Sequence, residues 1–186
     1  MPRIPLVSPD SNLTSEQRRV VDAILGKRGG KIPGPFRLSL HCPALTEVWH
    51  PLGETLRLKS NFPLRLSELA ILMAARAMDC DYVFNAHAPI ALEGGLPQTV
   101  IEALQGNARP AFEKSDEEAI YVYCRELHEQ HAVSDKTYAR ALELFGVPGV
   151  VELTALFGYY TMVAMTILAH QMPVPDDARF RLAKRD

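Results

Sequence analysis

The sequence predicts an all-α protein. Apolar residues recur at helical spacing in nearly every segment, capping residues and Gly or Pro punctuate those segments, and no stretch sustains the period-2 alternation of a half-buried strand. With 186 residues the chain is expected to form a single helical domain over residues 1–186, ending in a flexible or docking tail from about 173. Hydrophobic residues at 47% and charged residues at 23% are the proportions of a packed globular core, which excludes a disordered or fibrous reading.

Taken in order, Thr14 with Gln17 forms a capping box that opens a helix to about Lys27, with Val20, Val21, Ile24 and Leu25 facing inward and Gly29-Gly30 ending it. A proline-rich connection over 31–36 leads into a short helical turn and then a longer helix from near Pro43, a residue suited to the first helical position. Pro51 is expected to kink that helix. Asn61 and Pro63 start a helix to about Met78 in which Leu66, Leu69, Ile71, Leu72, Met73 and several Ala leave few polar positions. A rod that apolar is buried, and its Leu69–Met78 stretch suits a subunit interface as well as a monomer core. A helix from Cys80 to Glu93, closed by Gly94-Gly95, and a short one from Pro97 to Leu104 follow.

The loop over 107–114 reads as a boundary between an N-terminal portion and a C-terminal helical cap. Ser115 with Glu118 reads as a second capping box for a helix to about Gln130, Ser134 starts another to Phe145, and Val150–Gln171 is the last. That last segment is long enough to span a bilayer, but Glu152 within it would cost about 2.5–3.5 kcal/mol at mid-membrane, so a core helix is expected and no membrane partner.

Charge and cysteine usage narrow the function classes. Twenty Lys and Arg against 22 Asp and Glu leave a net charge of −2, which provides no field for nucleic acid. Three well-separated cysteines, Cys42, Cys80 and Cys124, do not make a disulfide scaffold, and the N-terminus has no apolar leader core; a cytoplasmic location is expected.

No phosphate loop, dinucleotide fingerprint, nucleophile elbow or paired-cysteine zinc site is present. One constellation remains. Arg65, Glu68, Leu72 and Arg76 fall within about 80° of one another at 100° per residue, placing three charges on one face of an apolar rod, where buried charges need partners. On the next helix Cys80, Val83 and His87 share a face. Glu68 and His87, on consecutive helices expected to pack antiparallel, can form an orienter and a base. Cys80 at a helix start feels the dipole lower its pKa, while Asp79 and Asp81 push the other way.

Glu68, eleven residues, Cys80, two residues, Val83, three residues, His87 resembles the Glu…Cys-x-x-Cys-x-x-x-His signature of the alkylhydroperoxidase D branch of the carboxymuconolactone decarboxylase superfamily. The run RLSELAILMAARAMDCDYVFNAHAPIALEGGLP resembles the superfamily's core segment, and MPRIPLVSPD and ELFGVPGVVELTALFGYYTMVA resemble its decarboxylase-like members. Val83 departs from the pattern: the peroxidase branch has its peroxide-reactive cysteine there, and the decarboxylase branch tends to carry a glutamate. The resemblance implies a homo-oligomer, commonly a trimer or hexamer, and lyase chemistry of the aromatic-catabolism type without metal or organic cofactor. His87 would then move a proton on a small carboxylated or lactone-like substrate and Glu68 would orient it. Arg65 or Arg76 would hold a substrate carboxylate, and Tyr82 would donate to an enolate. A single-cysteine thiol peroxidase using Cys80 and a non-catalytic small-molecule-binding oligomer remain alternatives.

Three further groups have plainer readings. His128 and His131, three apart near a helix end, lack an evident third metal ligand and read as solvent-exposed. His41-Cys42, Trp49 and His50 surround the proline-containing region, which could line a pocket. Tyr159 and Tyr160 read as core or interface aromatics.

Overall fold

Every position from Leu66 to Arg76 is buried, and this run sets the architecture. The computed structural model describes residues 1–27 and 30–184, and every regular element among them is one of eight helices: α1 (Ser15–Lys27), α2 (Gly34–Ser39), α3 (Pro43–Leu58), α4 (Leu64–Ala77), α5 (Asp81–Glu93), α6 (Gln98–Gln105), α7 (Ser115–Gln130) and α8 (Asp135–Ala169). α4 is the central rod, surrounded by α5, α6, α7 and α8 of its own chain. Its apolar circumference is thus satisfied within one subunit. The expectation that Leu69–Met78 supplies a subunit interface is corrected accordingly, since Leu69 to Ala75 are already enclosed.

α4 and α5 are joined by Met78, Asp79 and Cys80. Asp79 takes a left-handed conformation at φ +51°, which aspartate tolerates better than most residues, and Arg76 Nη2 donates to its carboxylate. The Cys80 N–H bonds to the Ala75 carbonyl at 2.9 Å, and the Cys80 carbonyl accepts from Phe84 N–H at 3.0 Å, which ends one helix and begins the next. So short a connection returns the chain along α4, antiparallel to it.

α8 is two helices joined at Gly146, whose φ of +64° and ψ of 176° lie in a region that only glycine occupies comfortably. The expected end near Phe145 and restart near Val150 coincide with this break. Beyond it Leu153, Leu156, Phe157, Tyr160, Val163, Ala164 and Ile167 turn inward, while Val151, Met162, Met165 and Leu168 stay exposed. Among the described residues α8 is the one helix long and apolar enough to cross a membrane. Its Glu152 accepts hydrogen bonds from the Ser60 hydroxyl, from the Asn61 backbone N–H at 3.1 Å and from Asn61 Nδ2 at 2.7 Å, pinning the link between α3 and α4.

Several local expectations are met and others are corrected. The Thr14–Gln17 box forms reciprocally, at 3.0 and 3.2 Å. Of the proposed Gly29-Gly30 stop, Gly29 lies outside the described residues, and Gly30 N–H returns to the Leu25 carbonyl at 3.2 Å. The Ser115–Glu118 box does not form: no side chain caps α7, and Glu118 accepts instead from Arg109 at 2.5 Å, a stronger charged donor. α3 runs continuously through Pro51. Nor do α7 and α8 form a separate cap, because both pack on α4 within a single described core that extends from Val7 to Met172. The tail docks on its own chain: Asn85 Oδ1 accepts from Arg179 N–H at 2.9 Å and Phe180 N–H at 3.1 Å, Asp81 Oδ1 accepts from Leu182 N–H at 2.6 Å, and Phe180 and Leu182 pack against the core.

The break in α8 yields a paired expectation. Gly146→Ala forces a side chain into its strained conformation and should cost about 1–3 kcal/mol. Gly158→Ala, in the helical part of α8 with open space where the Cβ would sit, should gain about 0.5–1 kcal/mol. Urea unfolding midpoints moving in opposite directions would confirm this assignment, and a neutral Gly146→Ala would refute it.

Candidate active site

The antiparallel return of α5 along α4 brings Glu68 opposite His87. The Glu68 side chain is 1% exposed, and its Oε2 accepts a hydrogen bond from His87 Nδ1 at 2.6 Å. An ionised carboxylate accepts only, so the proton on that edge of the ring belongs to Nδ1, leaving Nε2 with the lone pair. Glu68 Oε1 lies 3.6 Å from Arg57 Nη2 at the end of α3. The carboxylate is thus shared between a guanidinium and an imidazole. The edge of the His87 ring meets Tyr160, with centroids 4.9 Å apart and planes at 83°.

His87 borders a cavity of about 280 Å³ lined by residues of α2, α3, α5 and α8. Its polar lining comes from Arg57, His87, Tyr82, Tyr159 and Tyr160, and its apolar lining includes Val83, Ala86, Ile90 and Val163. Two glycines make room for the tyrosines: a Cβ at Gly34 would overlap the Tyr82 hydroxyl, and one at Gly53 the Tyr159 hydroxyl. A small, mostly apolar chamber with a few convergent polar groups beside a buried acid–base pair has the general form of a ligand site.

Residues 43–119 match the carboxymuconolactone decarboxylase family. The same overall fold occurs in the alkylhydroperoxidase AhpD core of an uncharacterized peroxidase-related protein from Ralstonia eutropha JMP134, with a TM-score of 0.77, 16% identity, and 97% of this chain and 95% of that one covered. An uncharacterized peroxidase-related protein from Silicibacter sp. TM1040 gives 0.72 at 13% identity over 97% and 95% of the two chains. A protein of unknown function from Agrobacterium tumefaciens, a candidate antioxidant defence protein of the AhpD type, gives 0.66 at 15% identity over 75% and 96%. No curated protein matches significantly. Residues 43–119 are thus similar to the carboxymuconolactone decarboxylase family, and the overall fold is the one seen in AhpD-like proteins.

Within this fold the other predicted residues are dispersed. Cys80 precedes α5, is fully buried and does not line the cavity. Burial pushes its thiol up to about 11, backbone N–H groups of Val83 and Tyr82 pull against that rise, and Asp81 adds to it. Tyr82 does line the cavity, and burial raises its hydroxyl above the ordinary phenol range against the opposing charge of Arg37.

Arg65 and Arg76 are corrected as substrate-carboxylate anchors. They share a helical stripe with Glu68, but they are eleven residues, or about 16 Å, apart along α4 and meet different neighbours. Arg65 reaches α7, pairing with Asp116 at 2.7 Å and with Glu117. Arg76 pairs with Asp79, donates to the Ala183 carbonyl at 2.9 Å and borders a separate cleft beside Arg109 and Tyr121.

Arg57, Tyr159 and Tyr160 complete the lining and were not singled out as site residues. The available signal was the buried charge: Glu68 requires a cation, and Arg57 precedes it by eleven residues across the turn after α3. Trp49 and His50 belong to the core, edge-on to Phe36 at 5.6 and 5.1 Å, so that region contributes packing more than lining. His41 donates Nε2–H to the Pro5 carbonyl at 2.8 Å, and Cys42 is exposed. His131 is exposed in a left-handed cap of α7, and among the described residues no three His, Cys, Asp or Glu groups are placed to hold a metal.

Thiol labelling follows from these environments. At pH 8 iodoacetamide should modify exposed Cys42 and leave Cys80 and Cys124 unmodified, since burial raises both thiols and thiolate forms only as pH rises through the shifted value. Intact-mass analysis should show one adduct on the native protein and none in Cys42→Ser. Rapid Cys80 alkylation at pH 8 would contradict the buried placement.

Proposed function

We propose that the protein is an acid–base enzyme in which His87 moves a proton to or from carbon on a small carboxylated or lactone-like substrate. The observation that carries this reading is the 2.6 Å Glu68–His87 bond at the wall of a mostly apolar cavity. With Nδ1–H held by Glu68, Nε2 is the nitrogen not engaged by Glu68, and His87 lines the cavity. In abstraction, the Nε2 lone pair takes a C–H proton and the C–H electrons pass into an adjacent carbonyl. In a decarboxylating turnover, the C–C electrons stay on carbon as carbon dioxide leaves, and Nε2–H of the imidazolium returns a proton to that carbon. Glu68 offsets the imidazolium charge, which an apolar chamber would otherwise disfavour. Tyr82, which lines the cavity, would donate to the enolate oxygen.

A peroxidase cycle has less support. Val83 stands where a second cysteine would be, and Cys80 is a buried thiol outside the cavity. Association of copies into a trimer or hexamer is part of the proposal, supported by the exposed Val151, Met162, Met165 and Leu168 on α8. Light scattering giving a 20.7 kDa particle would remove that part.

The test is proton exchange. Candidate carboxylic and lactone acids incubated with the protein in D2O should acquire carbon-bound deuterium or release carbon dioxide, read by NMR and mass spectrometry. His87→Gln should lower the rate by ~10²–10⁴-fold and Glu68→Gln by less, and the double variant should be no worse than His87→Gln alone. A folded His87→Gln protein with undiminished exchange would overturn the proposal. So would steady hydroperoxide turnover with a thiol reductant that is lost in Cys80→Ser.

A further inference from the structure

The cavity has one source of positive charge among its described lining residues, the guanidinium of Arg57, and no lining carboxylate. Glu68 Oε1 lies 3.6 Å from Arg57 Nη2, longer than a hydrogen bond, and Glu68 accepts its short bond from His87. A guanidinium carries five N–H donors in a fixed fork, and the Arg57 Nε–H is buried with no hydrogen-bond partner. Groups of this kind are retained where a ligand completes them. Arg37, the other cation acting on Tyr82, is not a lining residue and spends its Nε–H on the Val7 carbonyl at 3.1 Å. The remaining walls combine Phe36, Val83, Ala86, Ile90 and Val163 with Tyr82, Tyr159 and Tyr160 and hold no second cation.

We infer that Arg57 anchors the carboxylate of a monoanionic, otherwise apolar substrate and thereby selects it over neutral and dianionic molecules. This rests on the cavity being the substrate site, as in the acid–base reading. The two oxygens of one carboxylate, Glu68, meet Arg57 and the His87 ring, so the anchor and the imidazole are neighbours in the cavity lining. A substrate carboxylate on Arg57 therefore brings the carbons nearest that carboxylate under His87, which assigns the reaction to the α or β position of the acid. The opposite end of the molecule lies against the aliphatic and tyrosine walls.

The experiment compares isosteric acids and amides on the full chain by isothermal titration at pH 7.5: benzoate with benzamide, phenylacetate with phenylacetamide, and phthalate as the dianion. The expected result is that at least one acid binds roughly 10–100-fold tighter than its amide, the range for a charge-assisted bond in a desolvated site, and that phthalate binds more weakly than benzoate. Arg57→Gln should erase the acid preference and Arg57→Lys should keep part of it, with folding checked by circular dichroism and Tm. Equal binding of acids and amides, no binding in any pair, or a folded Arg57→Gln that retains the preference would each overturn the inference. Should Arg57→Gln fail to fold, the wild-type pairs and Arg57→Lys still decide. Failure of the acid–base reading looks different: His87→Gln would leave exchange intact while the acid preference persisted.

Discussion

A carboxylate that is 1% exposed cannot remain ionised without compensation, and the structure around Glu68 is arranged to supply it. His87 gives a short hydrogen bond and Arg57 a nearby positive charge. Both contacts depend on parts of the chain outside the cavity. His87 faces Glu68 because α5 returns along α4 through three residues, which requires left-handed Asp79, itself held by Arg76. Arg57 faces Glu68 because the link between α3 and α4 is fixed, and it is fixed by Glu152 of α8 accepting from Ser60 and Asn61. Arg76 and Glu152, neither in the cavity, therefore position the pair that is. Losing either partner would leave a buried charge uncompensated, which is why the site and the fold are expected to be energetically coupled.

What the sequence reveals divides along the range of the interactions. Helix identity was legible throughout because it rests on local periodicity, and the α8 break was legible because Gly146 and Pro148 are local signals. The Glu68–His87 pairing was legible because both residues lie on apolar helices whose facing follows from a short turn. The destinations of long charged side chains were not. Arg65, Arg76 and Arg57 are chemically equivalent in a helical projection, and what separates them is which neighbour crosses above each one: α7 for Arg65, the tail and Asp79 for Arg76, Glu68 for Arg57. The Ser115–Glu118 box failed for a related reason, since Arg109 from the preceding loop outcompeted a backbone N–H for the same carboxylate.

Tertiary packing also changes what an apolar stretch means. α4 is apolar on every side, but four helices of its own chain cover it. α8 is the more apolar of the two on average, yet it keeps an exposed row of Val151, Met162, Met165 and Leu168. Hydrophobicity alone would bury α8 the more deeply, and what reverses the order is position: α4 is central and α8 is peripheral, so of the two α8 has a face left for another surface. The tail, polar enough in sequence to suggest a detached segment, is instead tied to α5 through Asn85 and Asp81.

Val83 gives the cavity its chemical character. It stands four residues before His87, one helical turn away on the same face of α5, and is itself a lining residue. A thiol there would place a nucleophile beside the imidazole, and a carboxylate would place a second anion near Glu68 and compete with any acid approaching Arg57. Valine does neither. With that position inert, the imidazole is the titratable base in the lining and answers to a single orienting carboxylate, while the guanidinium has no anion within the lining to neutralise it. Valine at this position therefore leaves Arg57 as the cation of the lining and His87 as its imidazole, with no carboxylate between them in the cavity wall.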